Sequence, residues 1–168
     1  MDSKQRGKDS TAEKVNESIL FLHFAQIFTN SKRHPNKQNF PNVYDISSAG
    51  HIAAGQTSED AARREVEEEL GLIIPITREH LKLQAKVQHV LNNGTYINNE
   101  HVDVYLVIQD VDVNKLVLQE SEVVEAKLED LEEYYKHAVI EKNQNYVPFS
   151  EESYIEMFDI VRHQLNKK

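Results

Sequence analysis

Cysteine is absent from the 168 residues, so disulfides and thiolate chemistry are both excluded. A long hydrophobic run is missing too. The longest, Ile19 to Phe28, is interrupted by His23 and Gln26 and falls well short of the about 20 residues a membrane helix needs. The opening MDSKQRGKDSTAEK is charged and polar, which is not the pattern of a signal peptide. Together these absences predict a cytoplasmic protein with no membrane partner. Positive charge is scarce: 19 Lys and Arg stand against 28 Asp and Glu, a net charge of −9. That balance argues against a nucleic-acid polymer or an anionic membrane as partner. An anionic small molecule would have to be met by local cations. No internal repeat and no low-complexity tract is visible.

What remains is the composition of a globular protein, 39% hydrophobic and 28% charged, long enough for one domain with a real core. Residues 1–15 read as a flexible tail and 16–168 as a single domain. The sequence leaves a homodimer open. ILFLHFAQIF is a buried strand or part of a helix, since periodicity alone does not decide it. TNSKRHPNKQNFPN is turn-rich and basic, and VYDISSAG is a short strand candidate running into small residues. Thr57 or Ser58 can cap a helix with Glu59 and Asp60 in its first turn, and Gly71 is a natural stop. Strands are predicted at 83–91 and 102–109, with a turn at Asn92-Asn93-Gly94 between them. Helices are predicted near 128–139 and 151–165. In the last, Tyr154, Phe158, Val161 and Leu165 recur at helical spacing and read as core. The mixture points to an α+β fold with a mixed sheet, not a regular βαβ repeat.

The stretch REVEEELG, Arg64 to Gly71, carries the chemistry. On a helix, Glu65, Glu68 and Glu69 share one face about 100° wide, and Ala62, Val66 and Leu70 form the apolar stripe beside it. Glu67 points away. Arg64 lies one turn before Glu68, where the two can pair. Three carboxylates on one face repel unless a cation sits between them, and Mg²⁺ prefers such oxygens. A solvated acidic face is the other reading of the same pattern. Ahead of the helix, AGHIAAG holds Gly50 and Gly55 among small residues, suited to a backbone that approaches a ligand closely.

From Gly50 through Arg64-Glu65-Val66 and Glu68-Glu69 to Gly71-Leu72, every spacing resembles the Nudix box: G, five residues, E, seven residues, then R-E-U-x-E-E-x-G-U, with U aliphatic. One position departs, since Gln56 stands where the signature has Glu. The wider stretch FPNVYDISSAGHIAAGQTSEDAARREVEEELGL, with YINNEHVDVYLV and YVPFSEESYIEMFDIV downstream, is similar to the Nudix subgroup related to isopentenyl-diphosphate isomerase.

The resemblance implies a Nudix-type α/β/α sandwich with a mixed central sheet and a MutT-like hydrolase activity. That activity cleaves the diphosphate linkage of a nucleoside-diphosphate derivative or another small organic diphosphate. It implies Mg²⁺, with Mn²⁺ as the alternative, held by Glu65, Glu68, Glu69 and the backbone carbonyl of Ala49. The ion would activate water and screen charge building on phosphorus. A glutamate takes the proton, with Glu65, Glu69 and Glu100 as candidates, and Arg64 orients the carboxylates. Lys32, Arg33, Tyr44 and His51 are the candidates for contact with substrate. Isomerisation is disfavoured, because the isomerase has a cysteine where Ala49 stands and an acidic residue where Asn98 stands. The remaining alternative is a catalytically weak Nudix-fold ligand-binding protein, which Gln56 and the divergent first thirty residues keep in play.

Overall fold

The computed structural model describes residues 14–24, 27–91, 96–149 and 152–166. Most of the segment read as a tail, and the turn at Asn92-Asn93-Gly94, lie outside the described residues; Lys14 and Val15 open the first strand. Seven strands form one mixed sheet with β1 (Lys14–Phe24) near its centre. Along one edge β1 runs parallel to β6 (Tyr96–Ile108), which pairs antiparallel with β5 (Leu81–Leu91). The other edge of β1 is shared. Glu17–Leu20 pair with β4 (Ser48–His51), whereas His23 and Phe24 pair with the start of β2 (Ile27–Arg33).

β2 then diverges from β1. It takes up β3 (Tyr44–Asp45) on that side and keeps β7 (Val123–Asp130) along the other. The sheet therefore forks, with β4 on one limb and β2, β3 and β7 on the other. Ser31 of β2 donates its hydroxyl to the Ile46 carbonyl (2.8 Å), stitching the limbs where the chain crosses from β3 to β4.

Helix α1 (Ser58–Leu70) begins where Thr57, in an extended conformation, accepts the Asp60 N–H on its side chain at 3.1 Å. Its apolar stripe, Ala62, Val66 and Leu70, is at most 1% exposed and packs with Tyr105 and Val107 of β6. Burying Val66 and Leu70 contributes about 1.5–3 kcal/mol each. The alternate residues Val102, Val104 and Leu106 face the opposite layer, with Met157, Phe158 and Val161 of the C-terminal helix (Glu152–Leu165), as the two-residue period of a strand requires. The fold is the α/β/α sandwich around a mixed sheet that the resemblance implies. The helical-core reading of the last helix holds for Phe158 and Val161, and Leu165 packs against them; the Tyr154 side chain lies outside the described residues.

For the apolar run at 19–28 the strand alternative holds, with residues 19–24 in β1 and 27–28 in β2, while Ala25 and Gln26 lie outside the described residues. Two elements differ from the sequence reading. The segment taken as the start of a helix at 128 is the end of β7, and the helix begins only at Leu131, where Asp130 accepts the N–H groups of Glu132 and Glu133. A π-helical turn at Lys136–Ile140 follows that short helix. Finally, β6 starts at Tyr96, well before Val102.

Gly71 closes α1 at φ 68°, and a Cβ there would stand 2.7 Å from Val117 Cβ. Gly71→Ala is expected to cost about 1–3 kcal/mol from the left-handed backbone and the contact together, read as a lower midpoint in urea unfolding.

Candidate metal-binding cleft

The fork in the sheet opens a small cleft of about 30 Å³ lined by Ser31, Arg33, Asp45, Ala49, Glu69 and Glu122, among others. That volume suits an ion or one or two waters. Of the α1 carboxylates, Glu69 lines the cleft, because the apolar stripe of the helix is pinned against β6. Glu69 is 8% exposed and Glu65 is half-buried, whereas Glu68 is exposed to solvent, as is Glu67, whose place on the wheel predicts it.

Burial pushes the Glu69 carboxyl up to about 7; the Ser48 hydroxyl, Lys37 and the Ala49 backbone pull the other way, and the nearby Glu65 charge adds to the rise. Glu65 is also raised, by burial first, with Arg64 opposing. A cation in the cleft would reverse both effects.

Arg64 organises this face. Its guanidinium meets Glu65 at 2.7 Å and Glu68 at 3.1 Å, and donates to the His51 carbonyl at 3.0 Å. One side chain thus ties α1 to the end of β4. Gly50, in β4, lies directly against Glu65: a Cβ at that position would fall within the glutamate's carboxyl group. Among the described residues no three Asp, Glu or His side chains are drawn close enough to cage an ion as they stand. Glu65 and Glu68 are spread across Arg64. The donor set nevertheless fits a hard divalent cation, with carboxylate oxygens throughout and a buried Glu69 whose charge is disfavoured without one. Glu65, Glu68, Glu69 and the Ala49 backbone are the groups that would hold it.

Gln56 has a local task. Its side-chain oxygen accepts the Ala53 N–H at 3.1 Å while its own N–H donates to the Ala53 carbonyl at 2.9 Å. The amide therefore staples the loop between β4 and α1, a job that needs an acceptor and no negative charge.

The other candidates are distributed unevenly. Arg33 lines the cleft, held by Asp45 at 2.9 Å and by the carbonyls of Phe40 and Asn39. Lys32, its neighbour on β2, points to the opposite face, toward Glu125 at 3.9 Å and over the Tyr44 ring. Tyr44 donates its hydroxyl to Glu125 at 2.7 Å and packs against Tyr146, with Lys127 Nζ 4.0 Å from its ring centre. That aromatic and basic group is distinct from the cleft. His51 is exposed at the end of β4. Glu100 is 5% exposed and sits inside β6 opposite Val15 and Val87, not ahead of the strand. Alternation places it on the Val102 and Val104 face, two strands or about 10 Å across from the chain just past His51. The structure does not gather it with the α1 carboxylates.

Lys37 is the residue the sequence reading passed over. It pairs with Glu122, and both Glu69 and Glu65 act on its charge, although burial and Arg33 lower its pKa overall. The only signal for it was the basic turn in which it lies.

A family model, the NUDIX domain, matches residues 20–151. The chain is 35% identical to Nudix hydrolase 3 of Arabidopsis thaliana over 96% of its own length and 22% of that protein's. It is also 35% identical to an uncharacterized Nudix hydrolase of Listeria monocytogenes, over 61% of this chain and 54% of that one. It therefore spans under a quarter of the first relative and about half of the second. Among solved structures, a MutT protein from Methanosarcina mazei aligns with TM-score 0.67 at 15% identity, covering 94% of this chain and 99% of that one. The NUDIX domain of Shewanella oneidensis NrtR, solved with ADP ribose, aligns with TM-score 0.64 at 11% identity, covering 95% and 94%. At these identities the structures speak for the fold alone.

Proposed function

Because this chain belongs to the NUDIX domain family, we propose that it hydrolyses the diphosphate linkage of a small organic molecule in a reaction dependent on Mg²⁺ or Mn²⁺. The observation that carries the reading is Glu69: a buried carboxylate, costly to charge, in a cleft that also holds Lys37 and Arg33. Glu65, Glu68, Glu69 and the Ala49 backbone would hold the ion, which supplies Lewis-acid polarisation of a phosphoryl oxygen when bound. Arg64 keeps the carboxylate face in register with β4. Lys37 and Arg33 offset the negative charge of the entering diphosphate, the local cations that an acidic protein needs for such a substrate. Glu65 or Glu69 takes the proton of the attacking water; with the ion bound, the oxygen that takes it would be one the ion leaves free.

The ADP ribose in the Shewanella structure is consistent with a nucleoside-diphosphate derivative as substrate, and other small organic diphosphates fit the same chemistry. The test is phosphate or phosphomonoester release over a panel of both kinds with Mg²⁺, with and without chelator. Activity that is absent throughout the panel, or indifferent to chelator, overturns the reading.

Gln56 tests the alternative of a ligand-binding protein. Glutamine cannot take a proton at neutral pH. Were this position the base, Gln56→Glu would raise kcat by about 10²-fold or more. Because the amide is engaged in the Ala53 turn, the expected change is under about tenfold, measured as kcat of both forms on one substrate.

A further inference from the structure

Glu122, immediately before β7, takes no part in the chemistry described above, yet it lines the cleft with Glu69 and Ala49. It grips the basic turn after β2 twice. Its carboxylate pairs with Lys37, and its carbonyl accepts the His34 N–H at 2.8 Å. The turn is closed internally by Lys37 N–H to the His34 carbonyl at 3.0 Å, while Pro35, Asn36 and Gln38 are exposed.

Glu122 is itself anchored to α1. Its N–H and that of Val123 donate to the Gln119 carbonyl at 2.8 and 2.9 Å, and Gln119 N–H donates to the Glu69 carbonyl at 3.1 Å. Val117 N–H donates to the Leu70 carbonyl at 3.2 Å, doubling the attachment. An unbroken run of bonds thus leads from the backbone of Glu69, through the 117–122 strap, to the Lys37 side chain.

We propose that Glu122 is a positioning residue that fixes the Lys37 ammonium on the cleft wall, so that it meets the diphosphate of the substrate. This rests on the function proposed above. A lysine stem left to itself carries about 2 kcal/mol of rotamer entropy, and its exposed turn gives it ready access to solvent. A carboxylate at the rim of an anion-binding cleft is otherwise a liability, since it repels the ligand. Pairing with Lys37 neutralises that charge, and the strap sets how far the ammonium stands from the helix that carries the metal face.

The test is a double-mutant cycle on a diphosphate that the wild-type protein turns over. Glu122→Gln is expected to raise KM about tenfold with kcat within about threefold, and Lys37→Met to raise it at least as much. The double variant should have a KM no higher than that of Lys37→Met alone, because removing Glu122 also removes the repulsion that the lost lysine leaves behind. Glu122→Asp, which keeps the charge with a shorter reach, serves if the glutamine form does not fold. It should raise KM by a smaller factor that also vanishes in the Lys37→Met background. An unchanged KM, or effects that multiply in the double variant, overturns the proposal, because Glu122 would then act independently of Lys37. A wild-type protein that turns over no diphosphate overturns the reading of the site, and this inference with it.

Discussion

Glu69→Gln is expected to lower kcat by about 10²-fold or more while making the metal-free protein more stable at pH 8. The two effects share one cause. In the folded chain the Glu69 carboxyl is raised to about 7, so it keeps its proton to higher pH than in the unfolded chain. Between about pH 4.5 and 7 the native state binds the extra proton. This group's contribution to stability therefore falls as pH rises through that window, and the full cost, about 3 kcal/mol, is present above 7. Glutamine removes that cost at pH 8 and changes little at pH 5, where the native glutamate is already neutral.

Thermal unfolding of both forms at the two pH values reads this directly. Mg²⁺ should raise the wild-type midpoint more at pH 8 than at pH 6, because proton and cation compete for one carboxylate. It should leave the variant's midpoint unmoved. A variant that retains activity, together with a wild-type protein that Mg²⁺ stabilises at neither pH, would return the acidic face of α1 to the solvated reading.

Gly50→Ala should produce a comparable loss of activity by displacement and not by chemistry. Gly50 has no left-handed backbone, so alanine is permitted conformationally. Its methyl group, however, would occupy the space of the Glu65 carboxyl. Glu65 must then swing from its place beside Arg64, removing one donor from the proposed metal-holding face and loosening the tie between α1 and β4. The expected result is a loss of about 10²-fold in kcat/KM, as misplacement of catalytic groups by an ångström can cause, with weaker metal binding by calorimetry. Gly55→Ala in the neighbouring loop is the control: no atom lies within 4 Å of a Cβ there, so only backbone strain of about 1–2 kcal/mol is expected. Equal activity in Gly50→Ala and wild-type would mean that Glu65 has no fixed place in the reaction.

Helix α1 could be read from the sequence because all its local signals agree: Thr57 caps it, Gly71 ends it, and Ala62, Val66 and Leu70 mark its buried stripe. The Nudix-like spacing then singles out Glu65, Glu68 and Glu69 as the carboxylates proposed to hold the ion. β7 was hidden for a different reason. Its residues Glu125, Lys127 and Glu129 form one polar face, satisfied by Lys32, Asn30, Tyr146 and His137. Val124, Ala126 and Leu128 alternate with that face at the period of a strand, but this short signal runs straight into the helix at Leu131 and reads as part of it. β6 extends over Asn98 and Asn99, poor strand formers, because β5 pairs with both and β1 joins on the other side at Asn99. Lys37 and Glu122 are far apart in the chain, and nothing in either local sequence announces the pair. Their meeting depends on β2 lying beside β7, which is a property of the topology.

The parallel pairing of β1 with β6 also governs how the protein can be made. β1 is synthesised well before its long partner, which emerges only after β2 to β5 and α1 have been added: Ile19 waits for Val104. Until then β1 has only β4 and the tip of β2 to pair with. Contacts between strands so distant in the chain form slowly, and an apolar strand left waiting is a ready template for other chains. Nascent chains arrested before Tyr96 should accordingly be captured by chaperones and be sensitive to protease, and release past Ile108 should make them resistant.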